Sequence, residues 1–131
     1  MVVDLHINKK KLRILNYHGI WTRHKQGTDK AREACSRIKE LALSVNYPSI
    51  ICGDFNLFPD TQSMKVFYDR FVSLVDTYKV HSTRPVTNEL HGKTRNVVDY
   101  ILVTKDIKIK DFSVLPSNVS DHLPLGLNFE I

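Results

Sequence analysis

Apolar and polar positions alternate along residues 2–7 and again along residues 12–17, with a polar stretch from Asn8 to Lys11 between them. A period of two bounded by turn residues predicts a β-hairpin. Residues 19–27 then read as a loop. From Thr28 the period changes. Ala31, Ala34, Cys35, Ile38, Leu41, Ala42 and Val45 fall on one helical face, with Thr28 or Asp29 placed to cap the helix and Asn46, Tyr47 and Pro48 to stop it. The apolar run 49–52 is too short for a helix and rich in isoleucine, so it predicts a buried strand. A second helix is expected from Asp60 or Thr61 through Met64, Val66, Phe67 and Phe71. Residues 76–96 are polar and mixed and predict a long loop. Three further strands are expected at 97–103, 107–115 and 125–131. The order ββαβαβββ predicts an α/β (α+β) fold, a mixed sheet with helices on one face.

Composition narrows the class. The 131 residues, 42% hydrophobic and 25% charged, suffice for one domain with one sizeable core. A formal net charge of +5 fits a polyanionic partner such as nucleic acid or an anionic membrane surface. No apolar run approaches the roughly 18 residues that a membrane span needs. Two cysteines, Cys35 and Cys52, are too few for a disulfide framework and sit in apolar settings. Reduced thiols and the absence of a secretory pattern at residues 1–11 predict a cytoplasmic protein.

Residues of catalytic type gather beside strand ends, where a rigid scaffold presents reactive groups. His18 follows the second strand, Asp54 and Asn56 follow residues 49–52, and Asp121 and His122 precede the last strand. Asp99 falls inside an apolar strand, where an unpaired carboxylate is costly. A histidine is its natural partner, because the pairing fixes the tautomer and supports an imidazolium. An Asp99–His122 pair is therefore expected. Each residue has a plainer reading alone: residues 53–56 as a turn, Asp121 as a loop cap, His122 as a satisfied histidine. Together, three segments offering carboxylate, amide and imidazole favour a site. His6, His24, His81 and His91 share no such setting, and Lys9, Lys10 and Lys11 read as a solvated turn.

Four segments in order carry a resemblance: Asn16-Tyr17-His18, Gly53-Asp54-Phe55-Asn56, Asp99-Tyr100-Ile101 and Ser120-Asp121-His122-Leu123-Pro124. They resemble the motifs of the endonuclease/exonuclease/phosphatase superfamily, the DNase I-like fold. The resemblance covers essentially the whole chain but only about the C-terminal half of the family domain, whose members run to roughly 250 residues. It implies half of a four-layer αββα sandwich and metal-dependent phosphodiester hydrolysis, with a nuclease as the leading reading. By position, Asp54 would orient or deprotonate the attacking water, and Asn56 would hold Asp54 and contact the phosphate. Asp121 and Asp54 would contact Mg²⁺ or Mn²⁺. His122, held by Asp99, would bind the scissile phosphate, and His18 would approach it from the other side. Asn16, Trp21 and Arg95 are the candidate substrate contacts. Trp21, beside Arg23, His24 and Lys25, would stack on a nucleotide or else pack under its loop.

The departures from the family are also informative. The early Asn-bearing strand and the segment with the metal-binding Glu are absent. Of Glu33, Glu40, Glu89 and Glu130, only Glu89, in the expected long loop, is a weak substitute. Two alternatives follow. One is a catalytically impaired half-domain acting as a nucleic-acid-binding or assembly module. The other is a lipid- or sugar-phosphate phosphatase. The chain is expected to be either a fragment or a half-length protein. A half sandwich would expose an apolar sheet face, so a homodimer completing the sandwich is expected in the second case.

Overall fold

A computed structural model describes residues 1–85 and 95–131. β1 (Val2–Ile7) and β2 (Lys10–Asn16) form the expected antiparallel hairpin. Its turn is only Asn8 and Lys9, both at positive φ, 49° and 69°. Such turns match the twist of the flanking strands, so β2 starts two residues before the apolar pattern does. Asp4 and Arg13 face each other across the ladder, and the guanidinium meets both carboxylate oxygens at 2.8 Å.

α1 (Asp29–Leu43) starts where Thr28 Oγ1 accepts the Ala31 amide at 3.1 Å. It buries Ala31, Cys35 and Ala42. β3 (Ser49–Asp54) runs parallel to β2. After α2 (Gln62–Lys65) come the short β4 (Phe71–Ser73) and α3 (Leu74–Thr77), then β5 (Asp99–Thr104). These strands make one mixed five-stranded sheet in the order β1-β2-β3-β5-β4. β6 (Lys108–Val114) and β7 (Leu125–Glu130) pair separately in a two-stranded sheet.

The register divides the large sheet into two faces. Ser49, Ile51, Leu102 and Tyr100 share the face toward α1, where the Ser49 hydroxyl donates to the Ala42 carbonyl at 2.8 Å. Ile14, Ile50, Val103 and Val72 form a row on the other face, and Cys52 opposite Ile101 forms the next. Asp54 opposite Asp99 ends that second face. β7 comes under it. Leu125 lines a cavity of about 260 Å³ with Cys52 and Ile101, while Ile131 beyond its other end takes a bond from the Lys10 ammonium. The apolar face expected to lie bare is thus partly covered, with Val3 exposed and Leu5 and Ile14 half-buried.

Three expectations change. The second helix does not reach Phe71: it stops at Lys65 and the chain continues in tight turns, Phe67 to Met64 at 3.1 Å and Tyr68 to Lys65 at 3.3 Å. Phe71 is claimed instead by cross-strand pairing with Thr104, a tertiary contact that local periodicity cannot report. The expected loop 76–96 begins inside α3, and Ser82 bridges to Asn96. The expected single sheet is two. Among the described residues, no helix is long and apolar enough to cross a membrane.

Candidate active site

Two glycines bring the first two motifs together. Loop 17–19 lies backbone to backbone against the end of β3, with the Tyr17 amide on the Cys52 carbonyl at 2.9 Å and the Gly19 amide on the Asp54 carbonyl at 2.7 Å. A Cβ on Gly19 would sit 1.9 Å from the Phe55 carbonyl oxygen, and one on Gly53 would sit 2.1 Å from that of Tyr17. Gly53 also holds φ at 130°, a region L side chains rarely adopt. This approach sets His18 Nε2 3.9 Å from Asp54 Oδ2, with the histidine side chain 78% exposed. Phe55 anchors the next residue in the core, its ring in edge-on contact with Tyr17, Phe67 and Tyr100.

β3 ends and the antiparallel β5 begins on a carboxylate, and the register sets Asp54 directly opposite Asp99. Like charges facing across a ladder repel. His122 resolves this from the loop before β7. Its Nδ1 meets Asp99 Oδ1 at 2.8 Å, and its Nε2 stands 3.7 Å from Asp54 Oδ2. The expected Asp99–His122 pair is therefore present, at the first residue of the strand instead of inside it. Thr83 Oγ1 donates to Asp99 Oδ2 at 2.6 Å and accepts from the Val98 and Asp99 amides. Burial pushes the Asp99 carboxyl above its ordinary pKa, against the lowering effects of Thr83 and His122. With Asp99 ionised, Nδ1–H donates to it, so Nε2 is the nitrogen left toward Asp54.

Asn56 is 1% exposed and sits in the left-handed region at φ 55°. Its amide N–H donates to Asp54 Oδ1 at 2.8 Å, which fixes that carboxylate. Its side chain donates to the Gly19 carbonyl and accepts a bond from the Lys25 ammonium. Lys25 Nζ also lies 5.0 Å above the Trp21 ring. Trp21 is 69% exposed, so it does not pack under its loop.

The Asp121 carboxylate also approaches His122, with Oδ2 3.9 Å from Nε2. Arg84 Nη1 holds that carboxylate oxygen at 2.7 Å. Thr83 and Arg84 were not legible as site residues. They lie in a polar stretch without an apolar period, and long-range bonds carry them to the site: Thr83 to Asp99, Arg84 to Asp121, and the Leu123 amide to the Thr83 carbonyl at 2.8 Å. The basic cluster around Lys25 was the one sequence signal for its place.

Asn16 lies at the rim, opposite Cys52 in the ladder, and its Oδ1 would be 3.0 Å from a Cβ on Gly53. Arg95 is elsewhere. Its guanidinium binds the Val75 and Val80 carbonyls and Asp76, at 3.1, 3.0 and 2.7 Å. Glu33 pairs with Arg37 on α1, Glu40 lies on that helix, and Glu130 pairs with Lys108 and Lys110 on β6. Glu89 and His91 lie outside the described residues.

The donor set suits a hard divalent cation. Asp54, Asp99 and His122 offer ligand atoms within 4.8 Å of one another. Both Asp99 oxygens are already engaged, by His122 and Thr83. Asp54 Oδ2 is thus the carboxylate oxygen of this group with no hydrogen bond to a backbone amide, a hydroxyl or an imidazole, and the 79%-exposed Asp121 carboxylate lies outside the group.

Comparison with known proteins identifies the family and the fold. Residues 14–122 match the Endonuclease/Exonuclease/phosphatase family. No curated protein matches the chain. An endonuclease/exonuclease/phosphatase family protein from Bacteroides thetaiotaomicron superposes with TM-score 0.74 at 20% identity, over 93% of this chain and 51% of that one. A mannosyl-6-phosphatase from the same species gives 0.62 at 21%, over 93% and 51%. Humanized TDP2 of D. rerio gives 0.77 at 13%, over 99% and 59%. The chain thus spans about half the length of the solved structures it resembles. Enzymes of this family generally use divalent metals. With its motif segments folded onto one surface and a family match over most of its length, the chain belongs to the Endonuclease/Exonuclease/phosphatase family.

Proposed function

We propose that this chain carries the C-terminal half of a metal-dependent phosphodiesterase site, with nucleic acid as substrate. The observation that carries the reading is His122, bonded to Asp99 through Nδ1 at 2.8 Å and facing Asp54 through Nε2 at 3.7 Å. Hydrolysis adds charge to an anion, so a site needs a base for water and donors for the phosphoryl oxygens. Asp54, fixed by the Asn56 amide, is the base. His122 and His18 donate to the phosphoryl oxygens, and Asp99 keeps the His122 imidazolium oriented. Mg²⁺ or Mn²⁺, held by Asp54 and Asp121, would supply charge neutralisation and an acidified water when bound. Asn16 and Trp21 are contacts for the flanking nucleotide, and the +5 charge favours a polyanion. Arg95 is assigned no role here, since its guanidinium is taken up by Asp76 and two carbonyls.

The test is plasmid nicking with Mg²⁺ and with EDTA. Cleavage that EDTA abolishes, and that Asp54→Asn and His122→Ala each lower by about a hundredfold or more, supports the reading. Salt-sensitive DNA binding without cleavage would replace it by the binding-module reading. Release of phosphate from sugar phosphates in place of nicking would favour the monoesterase reading, which the mannosyl-6-phosphatase neighbour motivates. The free thiols fit a reducing compartment such as the cytoplasm. A homodimer is proposed to complete the sandwich, through the part of the large sheet that β6 and β7 leave open.

A further inference from the structure

We infer that Lys25 is a positioning residue that joins the exposed Trp21 ring to the buried Asn56 side chain, so that a base stacked on Trp21 is held at a fixed place relative to Asp54. This deepens the proposed function and rests on its reading of Asp54 as the base and of Trp21 as a nucleotide contact.

The three residues come from two loops. Lys25 lies in the loop after β2, with its backbone in the left-handed region at φ 54°. Its amide donates to the Thr22 carbonyl at 3.3 Å, and its carbonyl accepts the Phe58 amide at 2.9 Å, which ties the loop to the residues just after Asn56. The side chain repeats that tie. Its ammonium donates to Asn56 Oδ1 and lies 5.0 Å from the centre of the Trp21 ring. Both partners, a neutral amide and an indole, are uncharged.

Asn56 depends on that ammonium. It is buried, and its own φ of 55° persists only where the surroundings over-determine it. Its amide N–H donates to Asp54 Oδ1 at 2.8 Å, its Nδ2 donates to the Gly19 carbonyl at 3.3 Å, and its Oδ1 accepts from Lys25. An ammonium has donors only, so it fixes which end of the amide faces Gly19. Without it, Oδ1 is buried with no donor, and an unmade bond of this kind costs more than a made one contributes. The side chain must then turn or shift, and the main-chain N–H that holds Asp54 shifts with it. The other end of the link is open. Trp21 is mostly exposed, and the attraction of the ammonium for its face restrains the ring. Such a ring takes an unpaired base by stacking. Because Lys25 reaches both residues, stacking remote from the phosphorus orients the scissile bond against Asp54, and contacts of that kind raise kcat.

The probe is a short single-stranded oligothymidylate, cleaved by the full chain in Mg²⁺. Lys25→Met keeps the length of the side chain and removes the ammonium. It should lower kcat by about tenfold and raise KM as well, and Lys25→Arg should recover most of both. Trp21→Ala should act mainly on KM. Arg23→Met removes one positive charge from the same loop and should act on KM alone, which separates position from charge. Two readouts need no cleavage. Trp21 is the one tryptophan of the chain, so fluorescence anisotropy reports its ring directly and should fall in Lys25→Met. Hydrogen exchange at the Asn56 amide, followed by NMR, should quicken by about tenfold in Lys25→Met and stay as it is in Arg23→Met. Cleavage by the wild type with kcat unchanged in folded Lys25→Met overturns the inference and leaves the proposed function standing. No cleavage by the wild type under any divalent metal overturns the proposed function. The link from Trp21 to Asn56 then stands if exchange at Asn56 quickens in Lys25→Met, and falls if it does not.

Discussion

Asp99 couples the chemistry of the site to its stability. A carboxyl whose pKa is raised by burial holds its proton more tightly in the folded chain than in the unfolded one. Its contribution to stability is therefore greatest in acid and declines as pH rises from the ordinary carboxylate value through the folded one. Asn at this position cannot titrate. Urea unfolding of Asp99→Asn, compared with the wild type from acid to neutrality, should show the difference moving in favour of the variant as pH rises. In the proposed reaction the same variant should lose about a hundredfold or more in rate, because His122 loses the acceptor that orients it. Thr83→Val leaves the shape but removes the hydroxyl that serves Asp99 and two amides. Denaturant melts should show a loss of about 1–3 kcal/mol.

The site depends on elements brought close by small residues and on helices held by caps. Gly19→Ala meets the Phe55 carbonyl and Gly53→Ala meets that of Tyr17, so backbone must move in both. Each should cost about 1–3 kcal/mol in thermal or urea melts, and the displaced loop should carry His18 away from Asp54. Thr28→Ala should cost about 1 kcal/mol by removing the hydroxyl on the Ala31 amide. At this scale the hairpin, α1 and the four longer later strands were legible, because each shows its own apolar pattern and punctuation. The second helix was legible at its start but not in its length, and β4 and α3 were not legible. Phe71 carries the apolar signal of a helix but is buried as a strand residue against Thr104.

For the molecule as a whole, binding must show as stability. An ion or phosphate that binds only the folded chain adds about 2.7 kcal/mol at a hundred times its Kd. Mn²⁺ should therefore raise the melting temperature of the wild-type chain, and Asp54→Asn should remove most of that rise. The large sheet, covered by α1 on one face and partly by β6 and β7 on the other, presents β1 as an edge with Val2, Val3 and Ile7 exposed. The proposed homodimer expects a sedimentation coefficient that rises with concentration in the micromolar range, and a clean monomer throughout would exclude it.

The amino-acid order alone determined which residue types were available: carboxylates at Asp54, Asp99 and Asp121, imidazoles at His18 and His122, and the motifs that mark the family. Such information is local, carried by residue identity, spacing and period. The register that sets Asp54 against Asp99, the glycine contacts that press His18 onto Asp54, and the arrival of Thr83, Arg84 and Lys25 belong to the tertiary structure. They bring together residues dozens of positions apart, and only packing and cross-strand pairing hold such separations within hydrogen-bonding reach.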